Sequence, residues 1–185
     1  MALIATGCGD DDADEGDDSA TPTESTEAPE EPAEPVAPTK KEYIAEADAI
    51  CKKANNPEIG GVINDNLAGL SSATTIEAQS ASASAAAKGF LKLADLRDAT
   101  TKKLTDLAVP PEGGAKEFLR SRERNTQAML DWAKALEKFA NDPSQESVDA
   151  AGAAGTRSNE LAAENEKIAE RYGLKECGQR TSSKK

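Results

Sequence analysis

Histidine is absent from all 185 residues of this chain. Imidazole is the usual base of Ser/His/Asp and Cys/His sites and a common ligand of zinc, haem iron and di-iron centres. Its absence excludes the standard forms of these sites. We therefore expect no catalytic residues, no metal and no cofactor, and we interpret the protein as non-enzymatic.

Aromatic residues are scarce, at 3% of the chain, and the hydrophobic total of 37% suffices for one modest domain with additional unfolded sequence. No segment alternates polar and apolar residues for long enough to predict a strand, whereas apolar residues recur at helical spacing over several long stretches. The sequence therefore predicts an all-α fold, an up-and-down bundle of about four helices spanning residues 40–178.

Positive charge is missing from residues 1–39, which hold twelve of the 34 acidic side chains and no Lys or Arg. The remaining 22 acids balance all 22 basic side chains, so the net charge of −12 belongs to the N-terminal arm. The neutral domain argues against a nucleic-acid partner. Residues 9–39, rich in acids, Pro, Ser and Thr, are predicted to form a disordered extended stalk, and residues 179–185 a disordered tail.

The first eight residues read MALIATGC, and their last four resemble the lipobox of bacterial lipoproteins. In that motif a small residue precedes a cysteine that carries the lipid. Only seven residues precede Cys8, without a basic region and with a short apolar region, so we interpret residues 1–8 as a truncated or mis-started lipoprotein signal. With the stalk that follows, this pattern predicts lipidation of Cys8; the alternative is an acidic tail with an incidental cysteine.

Capping residues and prolines predict the helix boundaries. The first helix is expected from Lys40, capped by Thr39, to about Asn55, and residues 58–70 form a frayed helix or structured loop because of their glycines. A second long helix ends before Pro110, and a third covers about residues 115–140. Asp142 is the expected cap of the fourth, which ends at Tyr172 with Gly173 as a left-handed stop.

The third helix carries one stripe that is apolar except at Arg122 and Asn125. Arg120, Arg122 and Arg124 are interpreted as a possible anion site or, alternatively, as surface cations with Arg122 extending from the bundle edge to water. Trp132, Phe139 and Tyr172 are either core residues or the lining of a ligand groove. On the last helix, three carboxylates form either a metal site or, as favoured here, an ion-paired solvated face: Glu160, Glu164 and Glu170.

Cys51 lies on the apolar stripe of the first helix, and Cys177 follows the last helical pattern. A bond between them would join the two ends of one domain and close a loop for which chain entropy allows about 4–5 kcal/mol. Two buried, unpaired thiols are the alternative.

Three segments, YIAEADAIC, LAVPP and YGLKECG, together resemble a group of small secreted lipoproteins of actinobacteria, over about residues 40–178. The ADxIC and YGxxxCG cysteine pair is the most specific part. The resemblance implies an extracytoplasmic helical domain in which Cys51 and Cys177 are bonded, and it implies no catalytic residues.

These observations favour a lipid-anchored protein on the outer face of the cell membrane, acting through contact with an envelope protein or as an envelope component. The alternative is a module that binds a small apolar ligand or lipid between helices near Trp132 and Phe139.

Overall fold

The structure, a computed structural model, describes residues 37–110 and 113–179. Within these ranges the chain forms five α-helices and no β-strand: α1 Lys40–Ala54, α2 Pro57–Ser72, α3 Ile76–Thr105, α4 Ala115–Asn141 and α5 Gln145–Tyr172. The all-α prediction is confirmed, with five helices in place of about four. The predictions for Cys8, for most of the stalk and for almost all of the tail fall outside the described residues.

The three long helices α3, α4 and α5 pack in antiparallel order, α3 against α4 and α4 against α5. One end of the α4–α5 pair is marked by an ion pair between Glu117 and Arg171 and the other by one between Lys138 and Glu146. Helices α1 and α2 both pack along α3. Because α1 joins the core around Leu104 and α2 the core around Ala86, they follow one another along α3 and together fill the fourth position of the bundle.

The break between α1 and α2 explains the fifth helix. Pro57 occupies the first turn of α2, where its missing N–H costs no helical hydrogen bond. The side chain of Asn56 accepts hydrogen bonds from the backbone N–H groups of Glu58 and Ile59, at 3.1 and 3.3 Å. The frayed segment expected over residues 58–70 is therefore a complete helix, and the burial of Ile63 shows that packing against α3 outweighs the low helix propensity of its glycines.

Two other helix ends test the capping predictions. Thr39 and Glu42 form the reciprocal hydrogen bonds of a capping box at the start of α1, and Gly173 ends α5 with φ of 101°. The prediction that Asp142 caps the last helix is wrong. Ser144 is the cap, because its hydroxyl accepts from the N–H of Ser147 while the Ser147 hydroxyl accepts from the N–H of Ser144, and Asp142 ends α4 instead.

The interior consists of two apolar clusters separated by a buried polar layer. Leu104, Phe118 and Ile168 belong to one cluster, and Phe90 and Met129 to the other. Between them lie the polar side chains that we call the polar layer, all of them buried except Arg97, which is half-buried: Arg97, Thr101, Ser121, Arg122, Asn125 and Asn165. A layer of this kind restricts the register of neighbouring helices, because each buried polar group requires a partner.

The chain ends of the domain are joined twice. Cys51 and Cys177 form a disulfide with a Cα–Cα distance of 5.0 Å, as the sequence predicted. The carboxylate of Asp48, one turn before Cys51, accepts hydrogen bonds from the backbone N–H groups of Lys175, Glu176 and Cys177. The turn after α5 is therefore fixed to α1 by a covalent bond and by a charged acceptor. No helix within the described ranges is long and apolar enough to cross a bilayer.

Candidate functional site

A cleft runs between α2 and α5, and we call it the α2–α5 cleft. No Cα atom of α2 lies within 8 Å of a Cα atom of α5, although both helices flank the same face of the α3–α4 pair. The floor of the cleft is formed by α3 and α4, including Phe90, Trp132 and Leu136. The missing contact between two helices thus leaves a cleft on one side of the bundle, at whose floor Trp132 is partly exposed while Phe90 and Leu136 are buried.

The cleft has two lobes that adjoin at Leu67, Trp132 and Asn159. The first, which we call the Arg97 lobe, has a volume of about 320 Å³ and reaches into the middle of the bundle. The second, the Phe139 lobe, has a volume of about 500 Å³ and lies toward the α4–α5 turn. Both volumes fall within the range typical of small-molecule sites.

Trp132 stands at the junction of the lobes. Its ring packs on that of Phe90, with 4.4 Å between centroids. On the opposite side α5 carries Gly155, where an added Cβ atom would lie 2.9 Å from the indole Cε2. The absence of a side chain at Gly155 therefore provides the space in which the indole lies.

The structure places two of the three ligand-lining candidates in the cleft. Trp132 and Phe139 both line it, and Phe139 is 3% exposed. Tyr172 lies in the other apolar cluster, where its ring meets that of Tyr43 edge-on at 6.1 Å between centroids. Tyr172 is far from Trp132, because Trp132 packs at Gly155 and Tyr172 lies seventeen residues further along α5, about 25 Å along the helix axis and beyond the polar layer.

Val148 is a large apolar side chain of α5 that the fold leaves uncovered. It is 45% exposed and lines the Phe139 lobe. Ala151, on the next turn of α5, is buried. The α2–α5 cleft accounts for the difference, because α2 does not pack against α5 there.

The inner end of the Arg97 lobe is polar, and two of its atoms have no hydrogen-bond partner among the described residues. Its lining includes Arg97 and Asn125. The Nη1 atom of Arg97 and the Oδ1 atom of Asn125 are both buried without a hydrogen-bond partner. Among the ion pairs between described residues, none includes Arg97. Buried polar atoms are rarely unpaired in proteins, so this end of the lobe is prepared to bind a polar group.

Arg122 adds a second buried cation beside Arg97. It is 7% exposed, so the expectation that it extends to water from the bundle edge is wrong. Its Nε–H donates to the hydroxyl of Thr101 at 3.0 Å, and Nη1 donates to the carbonyl of Cys177 at 3.5 Å. These acceptors inside the bundle hold the guanidinium away from solvent.

Both buried guanidinium groups lie in an unfavourable electrostatic environment. Burial lowers the pKa of Arg97 to about 10, and burial together with the charge of Arg97 lowers the pKa of Arg122 to about 10. Both remain protonated at neutral pH. Two neighbouring positive charges in the interior therefore favour the binding of an anion nearby.

The other charged candidates lie on the surface. Arg124 pairs with Glu164 at 2.8 Å, and Arg157 pairs with Glu160 at 3.5 Å, all four side chains being largely solvated. Glu170 is exposed. Such pairs contribute about 0–1 kcal/mol each and leave the carboxylates in solvent. The three arginines of α4 thus separate into one buried member and two exposed ones.

Sequence patterns indicated part of this site. The apolar stripe of α4 is interrupted at Arg122 and Asn125, and these two residues belong to the polar layer. The sequence analysis did not identify Arg97 as a lining residue, nor α2 as one wall of the cleft. No protein-family model, curated protein or solved structure matches this chain.

Proposed function

We propose that this protein binds a small apolar ligand in the α2–α5 cleft, at the outer face of the cell membrane, where a lipid on Cys8 anchors it. The observation that carries the binding function is the cleft itself. Apolar side chains of four helices line a space of ligand size that the bundle leaves unfilled. Predominantly apolar lining with a few convergent polar groups is typical of small-molecule sites.

The location outside the cytoplasm is supported by two independent features. The disulfide between Cys51 and Cys177 is of a kind that persists in oxidising compartments. The sequence around Cys8 resembles a lipobox and is followed by the acidic segment. Mass spectrometry of the protein isolated from its native membrane tests the anchor. A diacylglyceryl group on Cys8 is expected, and an unmodified thiol there would contradict it.

Binding is testable through the single tryptophan, since Trp132 is the only one in the chain and lies in the cleft. Titration with apolar and amphipathic compounds is expected to change its fluorescence saturably and to raise the melting temperature. Stabilisation by a ligand grows with its concentration relative to Kd, and reaches about 2.7 kcal/mol at 100 times Kd.

A pair of variants locates the binding. Asn159 is exposed and lines both lobes, so Asn159→Phe is expected to obstruct the cleft and weaken binding about tenfold or more. Ala153→Phe places the same side chain on an exposed position of α5 that lines neither lobe, and should bind as the wild type does. Equal binding by both variants would place the ligand elsewhere.

Contact with an envelope protein is the second candidate function. Val62 and Ile76 are large apolar side chains that are 51% and 47% exposed, and a partner surface would cover them. Single exposed apolar residues are common on protein surfaces, so this observation supports a function less strongly than the cleft does. A complete lack of saturable ligand binding would favour this second function.

A further inference from the structure

The positive charge inside the bundle has no ion-pair partner among the residues that the structure describes. Arg122 is the one charged residue among the buried polar side chains of the described ranges, and Arg97 adjoins it. Neither participates in an ion pair with a described carboxylate. A buried cation without an anionic partner is costly, and hydrophobic replacements are often more stable. The arrangement is therefore explained better by ligand binding than by stability.

The position of Arg97 connects this charge to the cleft. Arg97 lines the inner lobe together with Asn125, and beyond them the lining becomes apolar through Met129 and Trp132. Asn125 and Phe139 are fourteen residues apart on α4, which corresponds to about 21 Å along the cleft floor. The cleft is thus elongated, with a cationic, hydrogen-bonding inner end and, leading from it, an apolar floor that is flanked by polar residues such as Asn159.

We propose that the ligand is an amphipathic anion, an unbranched apolar chain with an acidic head group, and that Arg97 binds the head group while the chain lies along Trp132 toward Phe139. This inference rests on the proposed function and specifies the ligand class. The guanidinium is suited to carboxylate and phosphate oxygens alike, because its planar set of N–H donors matches either group. The unpaired Oδ1 atom of Asn125 at the same end of the lobe is a hydrogen-bond acceptor, so it would pair with an O–H of the head group and not with a charged oxygen.

The test compares amphiphiles that share one chain and differ in the head group. Dodecanoate, dodecyl phosphate, dodecanol and dodecyltrimethylammonium are titrated separately, below micelle-forming concentrations, with Trp132 fluorescence and melting temperature as readouts. We expect at least one of the two acids to bind about tenfold or more tightly than the alcohol, because a hydrogen bond to a charged group in a buried site has that effect. The ammonium compound is expected to bind most weakly. The stronger acid identifies the head group.

Two variants assign the preference to a residue. Arg97→Met removes the charge and keeps an unbranched apolar side chain, so the acid should lose its advantage while the alcohol binds as before. Arg120→Met removes an exposed cation of α4 that lines neither lobe, and should retain the wild-type preference. Arg97→Lys keeps the charge and should retain part of the preference.

The outcomes separate the two proposals. Equal binding of acids and alcohol by the wild type would overturn the head-group inference and leave the apolar site intact. An acid preference that survives in Arg97→Met would also overturn it. If none of the four compounds binds, the cleft is not a ligand site and the proposed function fails with the inference. The comparison of head groups on the wild-type protein decides the matter even where Arg97→Met does not fold.

Discussion

Asp48 accepts a hydrogen bond from the backbone N–H of Glu176 at 2.9 Å, across 128 positions of the sequence. The N–H groups of Lys175 and Cys177 point at the same carboxylate. A charged acceptor that receives several backbone donors stabilises the turn that carries them, and this turn also carries the disulfide.

The Asp48 contact yields a stability prediction. Asp48→Ala removes the acceptor and should lower the free energy of unfolding by about 1–3 kcal/mol, since the amide donors lose their partner. Asp98→Ala is the matched control, because Asp98 is an exposed aspartate whose ion pair with Lys102 lies in solvent and contributes little to stability. Urea denaturation of both variants provides the measurement. Similar losses would show that the turn is held without Asp48.

Reduction of the disulfide is expected to destabilise the domain. The bond between Cys51 and Cys177 spans 126 positions, and opening it restores entropy to the unfolded chain. We expect the melting temperature to fall by about 10 °C with reductant, and a Cys51→Ala/Cys177→Ala double variant to melt at the reduced temperature with or without it. A Cys8→Ser variant should respond to reductant as the wild type does. A melting temperature that reductant leaves unchanged would contradict the stabilising role of the bond.

Two neighbouring glycines of α5 provide an internal comparison. Gly155→Ala places a Cβ atom 2.9 Å from the indole of Trp132 and should lower the unfolding free energy by about 1–3 kcal/mol while shifting the fluorescence of that residue. Gly152→Ala meets no atom within 4 Å and should be neutral or stabilising by up to about 1 kcal/mol, because alanine favours the helix. Chemical denaturation followed by fluorescence measures both. Equal stability of the two variants would mean that Trp132 does not depend on the space at Gly155.

Tyr43 should influence stability at alkaline pH. It is 1% exposed, and its burial, with a smaller effect of nearby Tyr172, raises the pKa of its hydroxyl. The unfolded chain therefore releases this proton first. The contribution of Tyr43 to stability is complete below about pH 10 and is lost as the pH rises through the folded pKa.

Tyr43→Phe tests this effect, because it removes the titrating group and keeps the ring. At neutral pH the variant should equal or exceed the wild type in stability, since the Tyr43 hydroxyl is buried without a hydrogen-bond partner. Unfolding free energies measured from about pH 8 to about pH 11 should decline less steeply in Tyr43→Phe than in the wild type. Parallel declines would show that Tyr43 does not titrate differently in the two states.

Capping residues, prolines and apolar spacing act locally, so the sequence was sufficient to predict the helical class and most of the helix ends. The disulfide was predicted from the places of Cys51 and Cys177 at the two ends of the domain and from the resemblance to secreted lipoproteins. The start of α5 was predicted incorrectly, since Asp142 and Ser144 are both good caps and only the tertiary structure decides between them. The helical state of α2 was uncertain for a related reason. Its glycines oppose helix formation locally, and the burial of Ile63 against α3 is visible only in the folded domain.

The site was harder to predict than the fold. Periodicity identifies the stripe on which Arg122 lies, but it does not distinguish a buried guanidinium from one that reaches water at the edge of a bundle. The burial of Arg97 was harder still to predict, because a single cation on an apolar stripe usually extends its charged group to solvent. The cleft exists because α2 and α5 do not contact one another. The distance between two helices cannot be read from the residue pattern of either one.

The break between α1 and α2, at residues 55–57, divides the fourth position of the bundle into two helices that are held in different ways. α1 is joined to the segment after α5 by the disulfide to Cys177 and by the hydrogen bonds that Asp48 accepts. α2 has Cα atoms within 8 Å of α3 and of no other helix. We therefore expect the position of α2 to depend on its packing against α3, whereas α1 is held by a covalent bond and a charged contact as well.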